Sequence, residues 1–93
     1  MTSAELEKRL KALSSTLRRQ MLLLMKEEAS KKNVLTVQEI SEALGIRLNV
    51  ASQNLSVLAS ADLIVRIQRG RYALYVANAD KIAETAAGVR SLA

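Results

Sequence analysis

With 93 residues, 49% of them hydrophobic and the only aromatics two tyrosines, the chain is sized for one domain (1–93) whose core is built from Leu, Ile, Val, Met and Ala. Fourteen Lys and Arg against nine Asp and Glu give a net charge of +5, which favours a polyanionic partner. The absence of cysteine and histidine excludes disulfides, thiol redox sensing, thiolate metal sites and imidazole ligation.

The N-terminus, MTSAELEKRL, alternates acidic and basic residues and does not read as a secretory signal. The longest strongly apolar run, Met21 to Met25, is too short to span a bilayer, so no membrane partner is expected and the expected location is the cytoplasm. Leu6, Leu10 and Leu13 recur at helical spacing and predict a first amphipathic helix over about 3–13. Ser14, Ser15 and Thr16 supply a break and an N-cap. A second helix follows through Leu17, Met21, Leu24 and Glu28; its run from Met21 to Met25 covers nearly the whole circumference, which predicts central burial. Lys31 to Asn33 form a polar turn. Thr36 and Glu39 make a capping box for a short helix with Val37, Ile40, Ala43 and Leu44 inside, and Gly45 closes it.

The next helix, about Leu48 to Ala61, carries no charged residue. On a wheel of about 100° per residue, Asn49, Ser52, Gln53, Ser56 and Ser60 fall in one sector, with Ala51, Leu55 and Leu58 opposite. An ordinary solvated face carries Lys and Glu. Short amide and hydroxyl side chains instead suit base edges in a major groove. Asp62 stands where a left-handed turn is needed, a conformation Asp tolerates at some cost. Leu63 to Gln68 alternates, with Leu63, Val65 and Ile67 on one face; Arg69-Gly70 is the expected hairpin turn, and Tyr72, Leu74 and Val76 resume the alternation. Asn78 caps a last helix, about 79–92, in which Ile82, Ala86 and Val89 share a face.

Helix, turn, helix and basic hairpin in succession predict a mainly α fold with a small β-hairpin, a winged helix-turn-helix of order α-α-α-α-β-β-α, with the reader motif at about 36–61 and the wing at about 63–77. Between Val34 and Asp62 the only cation is Arg47, against Glu39, Glu42 and Asp62, so phosphate attraction must come mainly from elsewhere. Arg66, Arg69 and Arg71 on the hairpin are the expected source. Arg18, Arg19, Lys26, Lys31 and Lys32 are available to add to the field.

The run from Leu10 to Val76 resembles the ArsR-type winged-helix regulators. KALSSTLRRQMLLLM is similar to the helix before their reader motif, LTVQEISEALGI to their support helix, ASQNLSVLASADLI to their recognition helix, and RGRYALYV to the end of their wing. The resemblance implies a homodimer built from the first and last helices, binding a pseudo-palindromic double-stranded DNA operator and leaving it when an effector, a small molecule or a protein, binds. By position, Asn49, Ser52 and Gln53 match base-reading residues, and Arg69 and Arg71 match the wing. Three departures stand out: Arg47 replaces the usual Ser at the start of the recognition helix, Asp62 replaces a turn glycine, and the family's Cys and His metal ligands have no counterpart.

The expected DNA contacts are therefore Arg47, Asn49, Ser52, Gln53 and Ser56 with Arg66, Arg69 and Arg71. The expected dimer surface is Leu6, Leu10, Ile82, Ala86 and Val89. No cofactor and no metal site are expected: Asp80 and Glu84, one turn apart, suit a helix N-terminal charge better than a hard-cation site. An enzyme is the weakest reading, because no nucleophile elbow and no phosphate loop is present. The rival is a winged-helix protein interaction module, in which Ala51, Val57, Ala59 and Ala61 would dock on another protein. A constitutive repressor and an effector-controlled one fit the sequence equally.

Overall fold

Local capping fixes where most of the helices begin. In a computed structural model, which describes residues 1–92, Thr2 and Glu5 form a capping box for α1 (Ser3–Ala12). The Ser15 hydroxyl accepts the Arg18 N–H at 3.2 Å to open α2 (Thr16–Ser30). Thr36 accepts from the Glu39 N–H at 3.2 Å, while the Glu39 carboxylate accepts the Thr36 N–H at 2.9 Å. This box opens α3 (Val37–Leu44), and Gly45 ends it in the left-handed region at φ +64°. After α4 (Leu48–Ser60), Asp62 takes the left-handed turn at φ +62°. The hairpin of β2 (Ile64–Arg69) and β3 (Tyr72–Ala77) leads to α5 (Ala79–Arg90), capped by Asn78.

Met21 and Met25 from α2, Ile40 from α3, Ala51, Leu55 and Leu58 from α4, then Leu63, Ile64 and Tyr75 are buried together. Unbranched Met and γ-branched Leu suit this contact, since they fill the irregular space between crossing helices in ordinary rotamers. The core thereby clamps α4 along one face over its whole length.

The structure corrects several expectations. A two-residue strand, β1 (Leu35–Thr36), pairs with β3 through Leu35↔Tyr75 and Thr36↔Leu74, making a three-stranded antiparallel sheet of order β1-β3-β2. The order is thus α-α-β-α-α-β-β-α; so short a strand shows no alternation to read. The second helix is not buried all round: Leu23 is 57% exposed, because its neighbours cover only the Met21–Met25 side. On α3, Ala43 is exposed and Ser41 is buried in its stead, its hydroxyl donating to the Gln38 carbonyl at 2.9 Å.

The hairpin turn is Gly70-Arg71, with Arg69 still paired to Tyr72; the left-handed φ of +59° at Gly70 suits the first position of a tight two-residue turn. Cross-strand pairing puts Ile64, Arg66 and Gln68 with Ala77, Tyr75 and Ala73 on the face whose base meets the helices. Val65 and Ile67, with Val76, Leu74 and Tyr72, lie on the outer face. Leu63 is buried but precedes the strand, so its phase does not carry along β2.

Candidate nucleic-acid interface

The capping box and the left-handed Gly45 turn α3 into the short Ile46-Arg47 link, and α4 starts at Leu48. Arg47 occupies the N-cap without a side-chain cap bond, as its side chain offers no acceptor. Burial of Ala51, Leu55 and Leu58 fixes the rotation of α4, and that rotation presents Asn49, Ser52, Gln53, Ser56 and Ser60 to solvent. Among the described residues none of these side chains hydrogen-bonds within the protein. Asn54 differs: it donates to the Val50 carbonyl at 2.8 Å and accepts from Arg18 at 3.1 Å. The polar side chains of α4 thus divide into one bound inward and a stripe left outward.

The expected cations divide the same way. Arg18 donates to the carbonyls of Ala12 at 2.7 Å and Lys11 at 3.2 Å, tying the end of α1 to α4. Arg19 donates to the Leu13 carbonyl at 2.6 Å, and Lys31 pairs with Glu28. Arg47, Arg66, Arg69 and Arg71 are exposed and form no ion pair among the described residues. The wing arginines do not share a face. Arg66 sits opposite Tyr75 and Arg69 opposite Tyr72, on the two sides of the hairpin. Arg71, in the turn, stacks its guanidinium 5.7 Å from the Tyr72 ring centroid.

The terminal helices meet through a contact the sequence did not advertise. Arg9, 2% exposed, donates to Glu84 at 3.1 Å and to the Thr85 hydroxyl at 3.4 Å. Glu84, expected to serve as a helix N-terminal charge, is therefore the ion-pair partner of Arg9, whose hydrogen bond holds its carboxyl below the ordinary glutamate range. With Arg9 and Ala12 turned inward on α1, Leu10 remains 41% exposed. Leu6 is half-buried, beside Gly88 of α5. On α5, Thr85 is buried, Ala86 and Val89 are exposed and Ile82 is half-buried. Ile82, Ala86 and Val89 line an apolar cleft of about 330 Å³ with Leu13, Leu22 and Leu63.

Two further residues stand beside α4 that sequence reasoning did not single out. Lys8 and Lys11 line a cleft with Ser56 and Ser60. Their spacing of three on one helix face was a signal available in the sequence, but one shared by many solvated helices.

No protein-family model matches the sequence, and no curated protein matches it. Solved structures do match. An ArsR-like transcriptional regulator from Rhodococcus sp. RHA1 superposes with a TM-score of 0.81 at 20% identity, covering 96% of this chain and 79% of its own. The solution structure of a homodimeric winged helix-turn-helix DNA-binding domain from Mycobacterium bovis, a possible ArsR-family transcriptional regulator, gives 0.75 at 27% identity, covering 96% and 78%. Reduced HlyU from Vibrio cholerae gives 0.71 at 25% identity, covering 95% and 88%. Among the described residues no helix is long and apolar enough to cross a membrane. The chain has the winged helix-turn-helix fold of the ArsR-type transcriptional regulators, and its sequence contains neither the cysteines nor the histidines that the resemblance associates with that family's metal sites.

Proposed function

We propose that the protein is a sequence-specific regulator of transcription that binds double-stranded DNA as a homodimer, acts as a repressor in the cytoplasm, and senses no metal through Cys or His. The observation that carries this reading is the outward stripe of α4: Asn49, Ser52, Gln53 and Ser56 are exposed, uncharged and unspent inside the protein, while Asn54 beside them is consumed. A major groove about 12 Å wide admits one helix, and Asn or Gln matches the paired donor and acceptor on an adenine edge. Arg47 at the mouth of α4 and Arg66, Arg69 and Arg71 on the wing supply the attraction to the backbone that the acidic reader core lacks. The apolar surface of Leu6, Leu10, Ile82, Ala86 and Val89 is the dimer contact. Two-fold symmetry of the dimer then predicts a pseudo-palindromic site with half-sites about 34 Å apart.

Repeated selection from a randomised duplex pool tests this. A two-fold-symmetric site should emerge, bound by a two-chain species in ultracentrifugation at micromolar concentration. A pool that stays random after several rounds would refute specific recognition. The exposed Leu48 and Val57 on α4 favour the interaction-module reading as the second choice. Binding of duplex DNA that ignores salt, or does not occur, would promote it.

A further inference from the structure

The polar stripe of α4 runs from Asn49 to Ser60, about 16 Å at 1.5 Å per residue, and its two halves have different surroundings. Asn49, Ser52 and Gln53 stand open. Ser56 and Ser60 instead form one wall of a cleft of about 370 Å³ whose other wall is α1, with Lys8 and Lys11, and which Ala12, Val57 and Arg18 complete. Among the described residues no acidic side chain lines it. Lys8 holds no ion pair among the described residues, and Lys11 meets only Glu7, at 3.5 Å, with both side chains largely in solvent. Such a pair is weak and gives way readily. Arg18 is pinned at the cleft by its bonds to the carbonyls of Ala12 and Lys11 and to Asn54. Its charge offsets the carbonyl oxygens at the end of α1, which would otherwise repel an anion.

We infer that this cleft seats a phosphate of the DNA backbone, with Lys8 and Lys11 as its cationic ligands and Ser56 and Ser60 as neutral donors. The inference rests on the DNA-binding reading and extends it. If the first half of the stripe lies in a major groove, the strand bordering that groove passes within the roughly 10 Å separating Gln53 from Ser60, and on this side the protein offers lysine ammonium groups and hydroxyls. The cleft also changes the assignment of Ser56, which faces the backbone and carries no base specificity.

Affinity of the full chain for its preferred duplex and for random duplex, measured against potassium chloride, tests the inference for Lys8→Ala, Lys11→Ala and the double variant, with Lys26→Ala as a control of equal charge change. Lys26 lines a different cleft, against Ala77 of β3 and Ala83 of α5. The salt slope should fall by about 0.9 for each phosphate no longer neutralised, doubled in a symmetric dimer, by the same amount on both duplexes, and by clearly less in Lys26→Ala, whose charge adds only to the long-range field. Both lysines are exposed, so melting temperatures should not move. A wild-type slope in the double variant, alongside a reduced slope in Arg69→Ala, overturns the cleft and leaves the DNA reading standing. An affinity drop confined to the preferred duplex also overturns it. Wild-type protein that binds no duplex in a salt-dependent way ends both readings.

Discussion

The N-terminal half and the reader half of the molecule use arginine in opposite ways. Arg9, Arg18 and Arg19 are consumed within the fold, by a carboxylate and a hydroxyl in the first case and by backbone carbonyls at the end of α1 in the others. Arg47, Arg66, Arg69 and Arg71 form no ion pair among the described residues and stand in solvent. A net charge of +5 is blind to this division. The inward arginines join helices, while the outward ones leave a field that a polyanion can answer. The two sets should therefore fail differently when removed, in stability for the first and in ligand affinity for the second.

The largest effect belongs to Arg9. Its guanidinium is almost wholly buried and bridges α1 to α5. Arg9→Met keeps much of the volume but removes the charged hydrogen bonds to Glu84 and Thr85, while Thr85 keeps its bond to the Lys81 carbonyl and half-exposed Glu84 its contact with Lys81, so the fold should lose about 1.5 to 3 kcal/mol. For a chain this size that lowers Tm by roughly 10 °C or more. Arg69→Ala should leave Tm within about 2 °C. Equal melting of wild type and Arg9→Met would dissolve the contrast.

The same contrast recurs inside α4, one step smaller. Asn49→Ala and Gln53→Ala remove groups that hold nothing in the protein, so they should cost about 1 to 3 kcal/mol of affinity on a preferred duplex, little on random DNA, and no stability. Asn54→Ala should do the reverse, costing about 1 kcal/mol of stability because its bonds to Val50 and Arg18 go with the side chain. Thermal melts paired with binding isotherms for the three variants decide it. Comparable destabilisation by all of them would mean that the stripe is structural.

What the sequence made legible were features in which one residue and its neighbours set the outcome. The Thr36–Glu39 capping box, the left-handed Gly45 and Asp62, and the apolar face of Ala51, Leu55 and Leu58 all lie within a few residues, and each stands as the pattern predicted. What stayed hidden depended on distant partners. Arg9 looks like Lys8 and Lys11 in sequence, and only the packing of α5 against α1 separates it from them. The outward face of Val65 and Ile67 was likewise settled by which side of the hairpin met α2, a tertiary choice. The candidate site was thus readable on α4 and only coarsely readable on the wing, where three arginines cluster in sequence although the pleat sends Arg66 and Arg69 to opposite faces.

That pleat makes the wing the next place to sharpen the comparison. One hairpin lying against DNA cannot press both faces on the same backbone strand, so Arg69→Ala and Arg66→Ala should differ in salt slope. Removing one phosphate contact lowers the slope by about 0.9 per protomer, equally on preferred and random duplexes. Arg71, held over Tyr72, should behave as a phosphate contact that weakens in Tyr72→Ala as well as in Arg71→Ala, since the ring limits where the guanidinium can go, and the double variant should lose no more than Arg71→Ala does. Should Arg69 enter the minor groove instead, the effect of its removal will track the A·T content of the flanks. Slopes unchanged in all the wing variants would place the hairpin off the DNA.

The smallest effect is one of pH, and it returns to the inward set. The hydrogen bond from Arg9 holds Glu84 below the ordinary glutamate range, outweighing the opposite push of desolvation, with Lys81 adding to the lowering. Because the folded value lies below the unfolded one, the associated stability is fully present above about pH 4.3 and is lost as pH falls through the depressed folded value. Wild-type protein should therefore lose stability progressively on the acid side of that point. Glu84→Gln should show a shallower decline there, since an amide cannot titrate, and should start from a lower plateau at neutral pH. Glu5, lowered through its capping bonds to Thr2, remains in both proteins and contributes the same residual slope. Chemical denaturation of the two proteins at intervals between pH 3 and 7 reads the difference. Parallel acid limbs would mean that the Arg9–Glu84 pair is no tighter in the folded chain than in the unfolded one, and that Arg9 is held by packing, Thr85 and Glu5.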